Sequence, residues 1–237
     1  MLSRKPDDSR PGTGLETMRL FVGFAAVLVL GSVIGCGGAV PEILYADAEL
    51  FLVEDRETGT VGESLRLYVA VNDGDGIEDL SVLSIVHDES ELYWQASAEE
   101  WVVVDQDGDS WIGMPDLRPV SGDVFPRGRY RLILEDESLQ EAEGSFGITA
   151  PPLEIGAIVF PSLITDGSEP VVAADGPVVM HVFTRVGKLA VSREVSSGPL
   201  GDTILKEIPE ESGLQVYLSS PPGDGVRLMS GPFDLDR

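Results

Sequence analysis

The chain of 237 residues contains one cysteine and two histidines, and its 16 lysines and arginines are outnumbered by 41 aspartates and glutamates, for a net charge of −25. A single cysteine excludes any disulfide within the chain, so its folded parts are held by apolar burial alone or with help from a metal ion. His87 and His181 have no second histidine or cysteine at ligand spacing, and no zinc pattern results. The acidic excess repels phosphate backbones and excludes nucleic acid as a partner. It leaves cations, basic partners or plain solubility as the uses of that charge. No nucleophile elbow, zincin helix or phosphate-cradling glycine loop occurs beyond residue 35. With so many carboxylates, accidental pairs carry no glycosidase meaning. A serine–histidine–aspartate set assembles from distant positions and stays open at this level, but the expectation is a protein that is not an enzyme.

Charge itself is missing over one stretch. Leu20 to Gly35, preceded by Arg19, runs 16 residues without an ionisable group. A membrane-spanning helix needs about 20 apolar residues, so this run is short for a permanent span and has the pattern of a secretion signal. Met1 to Thr17 carries Arg4, Lys5, Asp7, Asp8, Arg10 and Glu16, unlike an ordinary n-region, and Met18 reads as the true start. Ser32-Val33-Ile34 is a poor A-x-A cleavage site. Val33-Ile34-Gly35-Cys36 instead resembles the lipobox of bacterial lipoproteins. The resemblance implies a signal peptide over residues 1–35, diacylglyceryl and palmitate-type acylation at Cys36, and attachment to a cell-envelope membrane through that lipid. Two or more acyl chains hold firmly where one holds marginally. Cleavage would remove four basic and three acidic residues and leave 202 residues of net charge −26. Gly37 in place of aspartate implies, by the same resemblance, an outer membrane or cell surface rather than an inner membrane.

Beyond Cys36, residues 36–41 form a lipidated tether, and the next hundred residues read as strands between turns. In Ser64 to Val71, Leu65, Leu67, Val69 and Val71 alternate with Arg66, Tyr68 and Ala70, the period-two pattern of a half-buried strand. Further strands are expected at Ala48–Val53, Leu80–Val86, Leu92–Gln95, Trp101–Val104, Trp111–Gly113, Arg129–Glu135 and Glu141–Ile148. Short strands at this spacing predict an all-β fold of two tandem β-sandwich domains. The first covers residues 42–148, the Pro-rich linker 149–152, and a smaller second sandwich 153–237. Within the latter, strands are expected at Leu153–Val159, Pro177–Phe183, Lys188–Ser192, Thr203–Ile208, Leu214–Ser219 and Val226–Met229. Gly128-Arg129-Tyr130-Arg131-Leu132 resembles the penultimate strand of immunoglobulin-like and fibronectin-like modules. That resemblance implies a tyrosine corner at Tyr130. Asp73-Gly74-Asp75-Gly76-Ile77-Glu78-Asp79-Leu80 resembles a turn of bacterial immunoglobulin-like modules.

Several clusters carry possible chemistry. Asp105, Asp107 and Asp109 alternate around a turn, with Asp116 at the twelfth position of the loop counted from Asp105, and are candidate calcium ligands. Ser110 stands where a calcium loop needs glycine, and the flanks read as strands, so a plain hairpin turn is the competing reading. Asp73, Asp75, Glu78 and Asp79 form a second acidic turn. If both loops lie at one end of the sandwich, a shared cation site gains weight. Trp101 and Trp111, near Tyr93 and Trp94, are candidate glycan-stacking residues, set against core packing. The function expected is a non-catalytic envelope binding or assembly module. A calcium-dependent or glycan-binding adhesin-like module is the alternative, and a hydrolase follows it. Partners are a membrane, an envelope protein or a glycan.

Overall fold

The computed structural model describes residues 38–165, 169–221 and 223–235; Cys36 and the lipobox-like residues before it lie outside the described residues. The first half is built from β1 (Glu42–Asp55), β2 (Thr60–Asn72), β3 (Leu80–His87), β4 (Leu92–Ser97), β5 (Val102–Gln106), β6 (Asp109–Leu117), β7 (Gly128–Asp136) and β8 (Glu141–Ile148). The alternation in β2 has its expected result: Leu65, Leu67, Val69 and Val71 are buried, as are Leu83 and Ile85 of β3 and Tyr130, Leu132 and Leu134 of β7. These side chains join the sheet β4-β3-β7-β8 to β1, β2 and β6 across one core. Each such burial contributes about 1.5–3 kcal/mol. The Tyr130 hydroxyl donates to the carbonyl of Pro126 at 2.7 Å, the corner bond implied above.

The second half contains β9 (Ser162–Ile164), β10 (Val171–Ala173), β11 (Val178–Phe183), β12 (Leu189–Val195), β13 (Gly198–Pro199), helix α1 (Asp202–Leu205), β14 (Leu214–Ser219) and β15 (Val226–Leu235). Two expectations are corrected here. Leu153–Val159 is not a strand: Leu153, Ile155, Ile158 and Phe160 cover the first core as an irregular flap with a short 3-10 turn at Ile155–Ala157. Thr203–Ile208 begins with a turn of α-helix, because Ile204, Leu205 and Ile208 meet the second core at helical spacing. The residues of β9 and β10 were not expected as strands, being too short to show a period.

The chain is all-β, with two apolar cores on one long sheet. Its order is β12-β11-β14-β15-β1-β2-β6-β5. β15 runs parallel to β1, with Leu50 opposite Val226 and Leu52 opposite Leu228. Past the linker at 149–152, the chain therefore returns to hydrogen-bond with its own first strand, and Ala39–Arg237 forms one compact unit. The small sheet β13-β10-β9 covers the second core. Register places both cores on the same face of the long sheet. Phe51, Arg66, Arg227, His181 and Tyr217 stand on the other. Among the described residues no helix is long and apolar enough to cross a membrane.

Candidate functional site

The expected calcium set does not assemble. Asp107 (φ 56°) and Gly108 (φ 92°) form the two-residue hairpin between β5 and β6. Positive φ at both central positions is the requirement of the tight turn that matches strand twist, which explains the Asp-Gly pair. The Asp105 Oδ1 accepts from the Ser110 hydroxyl at 2.9 Å, and the Asp109 Oδ2 accepts from the Tyr45 hydroxyl at 2.8 Å. That carboxylate, accepting the phenolic proton, holds Tyr45 above its ordinary pKa. Asp116 lies toward the far end of β6, about 20 Å along the strand. There it accepts from Ser64 at 2.6 Å and pairs with Arg118 at 2.8 Å. Asp116 is therefore corrected out of the set, and the hairpin is a hydrogen-bonded turn.

The tryptophans are also placed. Trp101 is 8% exposed within the first core and offers no ring face to a sugar, which corrects its candidacy. Trp111 is half-buried and edge-on to Tyr45, with ring centroids 4.9 Å apart. His87 is buried between the Ser90 hydroxyl and the Arg127 carbonyl, and His181 lies between the hydroxyls of Ser192 and Ser219.

Carboxylates converge elsewhere. Asp73 follows β2, Asp79 closes the 3-10 turn Ile77–Asp79 before β3, and Asp136 ends β7, where it pairs with Leu80. Each offers one oxygen, and the three oxygens lie within 4.8 Å of one another. Asp136 is fully buried, its Oδ1 accepting the Gln140 amide at 2.8 Å. Asp73 Oδ2 and Asp79 Oδ1 are buried with no hydrogen-bond partner. Orphaned carboxylate oxygens facing like charge are costly unless a cation joins them. Burial, and then the charges of Asp73, Asp136, Asp75 and Glu137, push Asp79 above its ordinary 3.8. The residues fit a hard divalent ion such as calcium, for which they would supply three of the six to eight oxygens required.

The site lies against Ala39, the first residue of the compact unit. The Ala39 amide donates to Asp75 Oδ2, and the Ala39 carbonyl accepts from Gln140 Nε2 at 3.4 Å. A Cβ at Gly74 would stand 2.8 Å from the Ala39 side chain, so this glycine admits the close approach of Ala39. A cleft of about 480 Å³ separates Asp73, Gly76 and Ile77 from Gly108, Asp109 and Ser110. The two acidic loops thus share one end of the sandwich.

A raised carboxyl binds its proton more tightly folded than unfolded. Its stabilising contribution is present below the unfolded value and lost as pH rises through the folded one. In chelator, Asp79→Asn is therefore expected to melt above the wild type at neutral pH, with the gap closing as pH falls toward the ordinary carboxyl range. Added calcium should raise the wild-type Tm and leave that of the variant nearly unchanged. Equal calcium shifts for both proteins in thermal melts would remove Asp79 from the site.

No protein family and no curated protein matches this chain. Among solved structures, it is similar to Tp47, the 47-kilodalton lipoprotein of Treponema pallidum, with 13% identity and a TM-score of 0.37 over 84% of this chain and 52% of that one. It is also similar to dimeric latent PorU from Porphyromonas gingivalis, with 15% identity and a TM-score of 0.31 over 82% of this chain and 20% of that one. The chain spans about half the length of the first and a fifth of the second. Likeness this slight leaves function to the residues themselves.

Proposed function

We propose that the protein is a non-catalytic binding module of a bacterial envelope, anchored by lipid at Cys36 and closed by a divalent cation at its membrane-proximal end. The observation that carries this reading is the short run of sequence between Cys36 and the fold. The lipobox ends at Cys36, and the compact body begins at Ala39, whose backbone is bonded to the loop and strand end that present the acidic cluster. A body held this close to a bilayer presents Asp73, Asp75, Asp79 and Asp136 toward anionic headgroups. A divalent ion there offsets the repulsion and fixes the angle at which the module stands. Outer-membrane or surface placement, and an envelope protein or glycan as partner, belong to the same reading.

Cys36→Ser, expressed in a bacterium with a lipoprotein pathway, is expected to lose incorporation of a fatty-acid label and to leave the membrane fraction. Wild-type protein carrying a bare thiol at Cys36, or an uncleaved leader, would refute the anchor. Calcium is tested separately by titration calorimetry on the anchored protein. Absence of heat and of any Tm shift at millimolar calcium would remove the cation and leave the anchor standing.

A further inference from the structure

The face of the long sheet turned away from both cores is not the polar surface that a half-solvated sheet ordinarily presents. It forms a groove of about 630 Å³ crossing β11, β14, β15, β1, β2 and the end of β6. Five strand spacings make it about 24 Å long. Its two ends differ in chemistry. Toward β11 and β14 it is lined by Val179, Phe183 and Tyr217, the two rings meeting edge-to-face at 5.6 Å. Phe51, Val53 and Met229 continue this apolar floor through β1 and β15. Toward β2 and β6 stand Arg66, Arg118 and the carboxylate of Asp116, with Arg227 between the ends.

Three guanidiniums on one surface are notable in a chain of net charge −25. Arg66 and Arg227 share a single carboxylate, Glu49, and both lie over the ring of Phe51, at 5.6 and 5.9 Å. Arg227 engages Glu49 through its Nε and Nη2 and gives Nη1 to the Ser220 carbonyl, so its fork is committed. Arg66 commits only Nη2, to Glu49. Its side chain is 41% exposed, and that of Arg118, which engages Asp116 through Nε and Nη2 and keeps Nη1, is 53% exposed. Arg66 therefore keeps Nε and Nη1 for a second anion. Nε and Nη1 lie on either side of Cδ, so each offers a single charge-assisted bond to an anion rather than one shared fork. Burial, and then the neighbouring Arg227 and Arg66, hold His181 below its ordinary pKa.

We infer that this groove binds a chain-like amphiphile bearing one carboxylate, its head at Arg66 and Arg118 and its apolar body along Met229, Tyr217 and Phe183. The inference deepens the reading of a binding module by naming the ligand class, and it uses neither Cys36 nor the cation cluster. Apolar contact supplies the attraction along the floor, and the arginines select the head group and fix its direction.

The test is photolabelling of the full-length protein in its own membranes. The probe is an unbranched alkyl carboxylate with a diazirine at its far end, read out by peptide mapping. Labels are expected on β11 and β14, around Phe183 and Tyr217. Arg66→Gln and the more exposed Arg118→Gln should each lower labelling about tenfold, the scale of a charge-assisted hydrogen bond. Arg193→Gln, outside the groove, should change nothing. An alkyl alcohol of the same length should label at the level of the Arg66→Gln variant. Labels placed elsewhere, alcohol labelling equal to that by the carboxylate, or indifference to both arginine variants would overturn the inference. Stronger labelling by the alkyl phosphate would overturn the carboxylate in favour of a phosphate-headed lipid. Intact labelling in Cys36→Ser protein would support the groove whether or not that protein has left the membrane, so failure of the anchor and failure of the groove are read separately.

Discussion

Arg127→Met is expected to lower the unfolding free energy by about 3–5 kcal/mol, the scale of a buried ion pair broken on one side. Glu63 lies on the inward side of β2, and its side chain is 1% exposed. Its carboxylate accepts from Arg127 Nη1 at 2.8 Å, from Arg127 Nη2, and from the Phe125 amide at 2.8 Å. Arg127 also donates Nε to the Ala150 carbonyl at 2.6 Å and Nη1 to the Phe125 carbonyl at 2.7 Å. One side chain thus fastens β2, the connection between β6 and β7, and the linker after β8. Methionine fills comparable space but leaves a buried carboxylate with a single donor. Adding Glu63→Leu to the variant should recover most of the loss, because the uncompensated charge then disappears. Denaturant titration separates the cases, with the midpoint shifting at constant slope. A loss below about 1 kcal/mol would mean that water reaches the pair, which is the behaviour of exposed pairs.

Tyr130→Ala is expected to cost a similar amount, about 3–5 kcal/mol, through the cavity left by a large core ring. The ring is fully buried, stacks on Phe146 at 4.9 Å and meets His87 at 4.7 Å. Tyr130→Phe keeps the ring and removes only the hydroxyl bonded to Pro126, so about 1 kcal/mol should be lost. The difference between the two variants apportions packing against the corner bond. Burial also pushes the phenol well above its ordinary 10.0. The unfolded chain then releases this proton before the folded chain does, and stability falls as pH climbs past that ordinary value. Wild type should lose stability in alkali more steeply than Tyr130→Phe. Equal slopes would place the hydroxyl in contact with solvent.

Much of the fold was legible because most of its strands alternate cleanly. Glu141–Ile148 and Leu214–Ser219 have the predicted bounds, and β2, β3, β7 and β11 match within a few residues. Legibility failed where apolar residues serve a purpose other than pairing, as in the flap over Leu153–Phe160, and where strands of two or three residues have no period to read. The return of β15 to β1 was invisible, since pairing across the whole chain leaves no local mark. The acidic cluster was half legible. Asp73 and Asp79 stood out as a turn, but Asp136 was passed over. Its signal was present in parity: Tyr130, Leu132 and Leu134 face inward, and Asp136 continues their row. Glu63 likewise continues the row of Leu65, Leu67 and Val69. A charge in step with core residues was the mark of both buried carboxylates. Arg66 and Arg227 could not be associated from sequence, because the groove exists only once β15 lies beside β1.

That adjacency bears on how the polypeptide matures. Glu49 and Arg227 are bonded although 178 positions apart, and Val226 helps fill the first core. A chain threaded head-first through a translocation pore would expose β1 for nearly its entire passage, with one backbone edge unsatisfied until the tail emerges. Such an edge invites pairing with strangers, and distant closure is slow. Truncation before Val226 should therefore yield aggregates rather than a stable amino-terminal fragment.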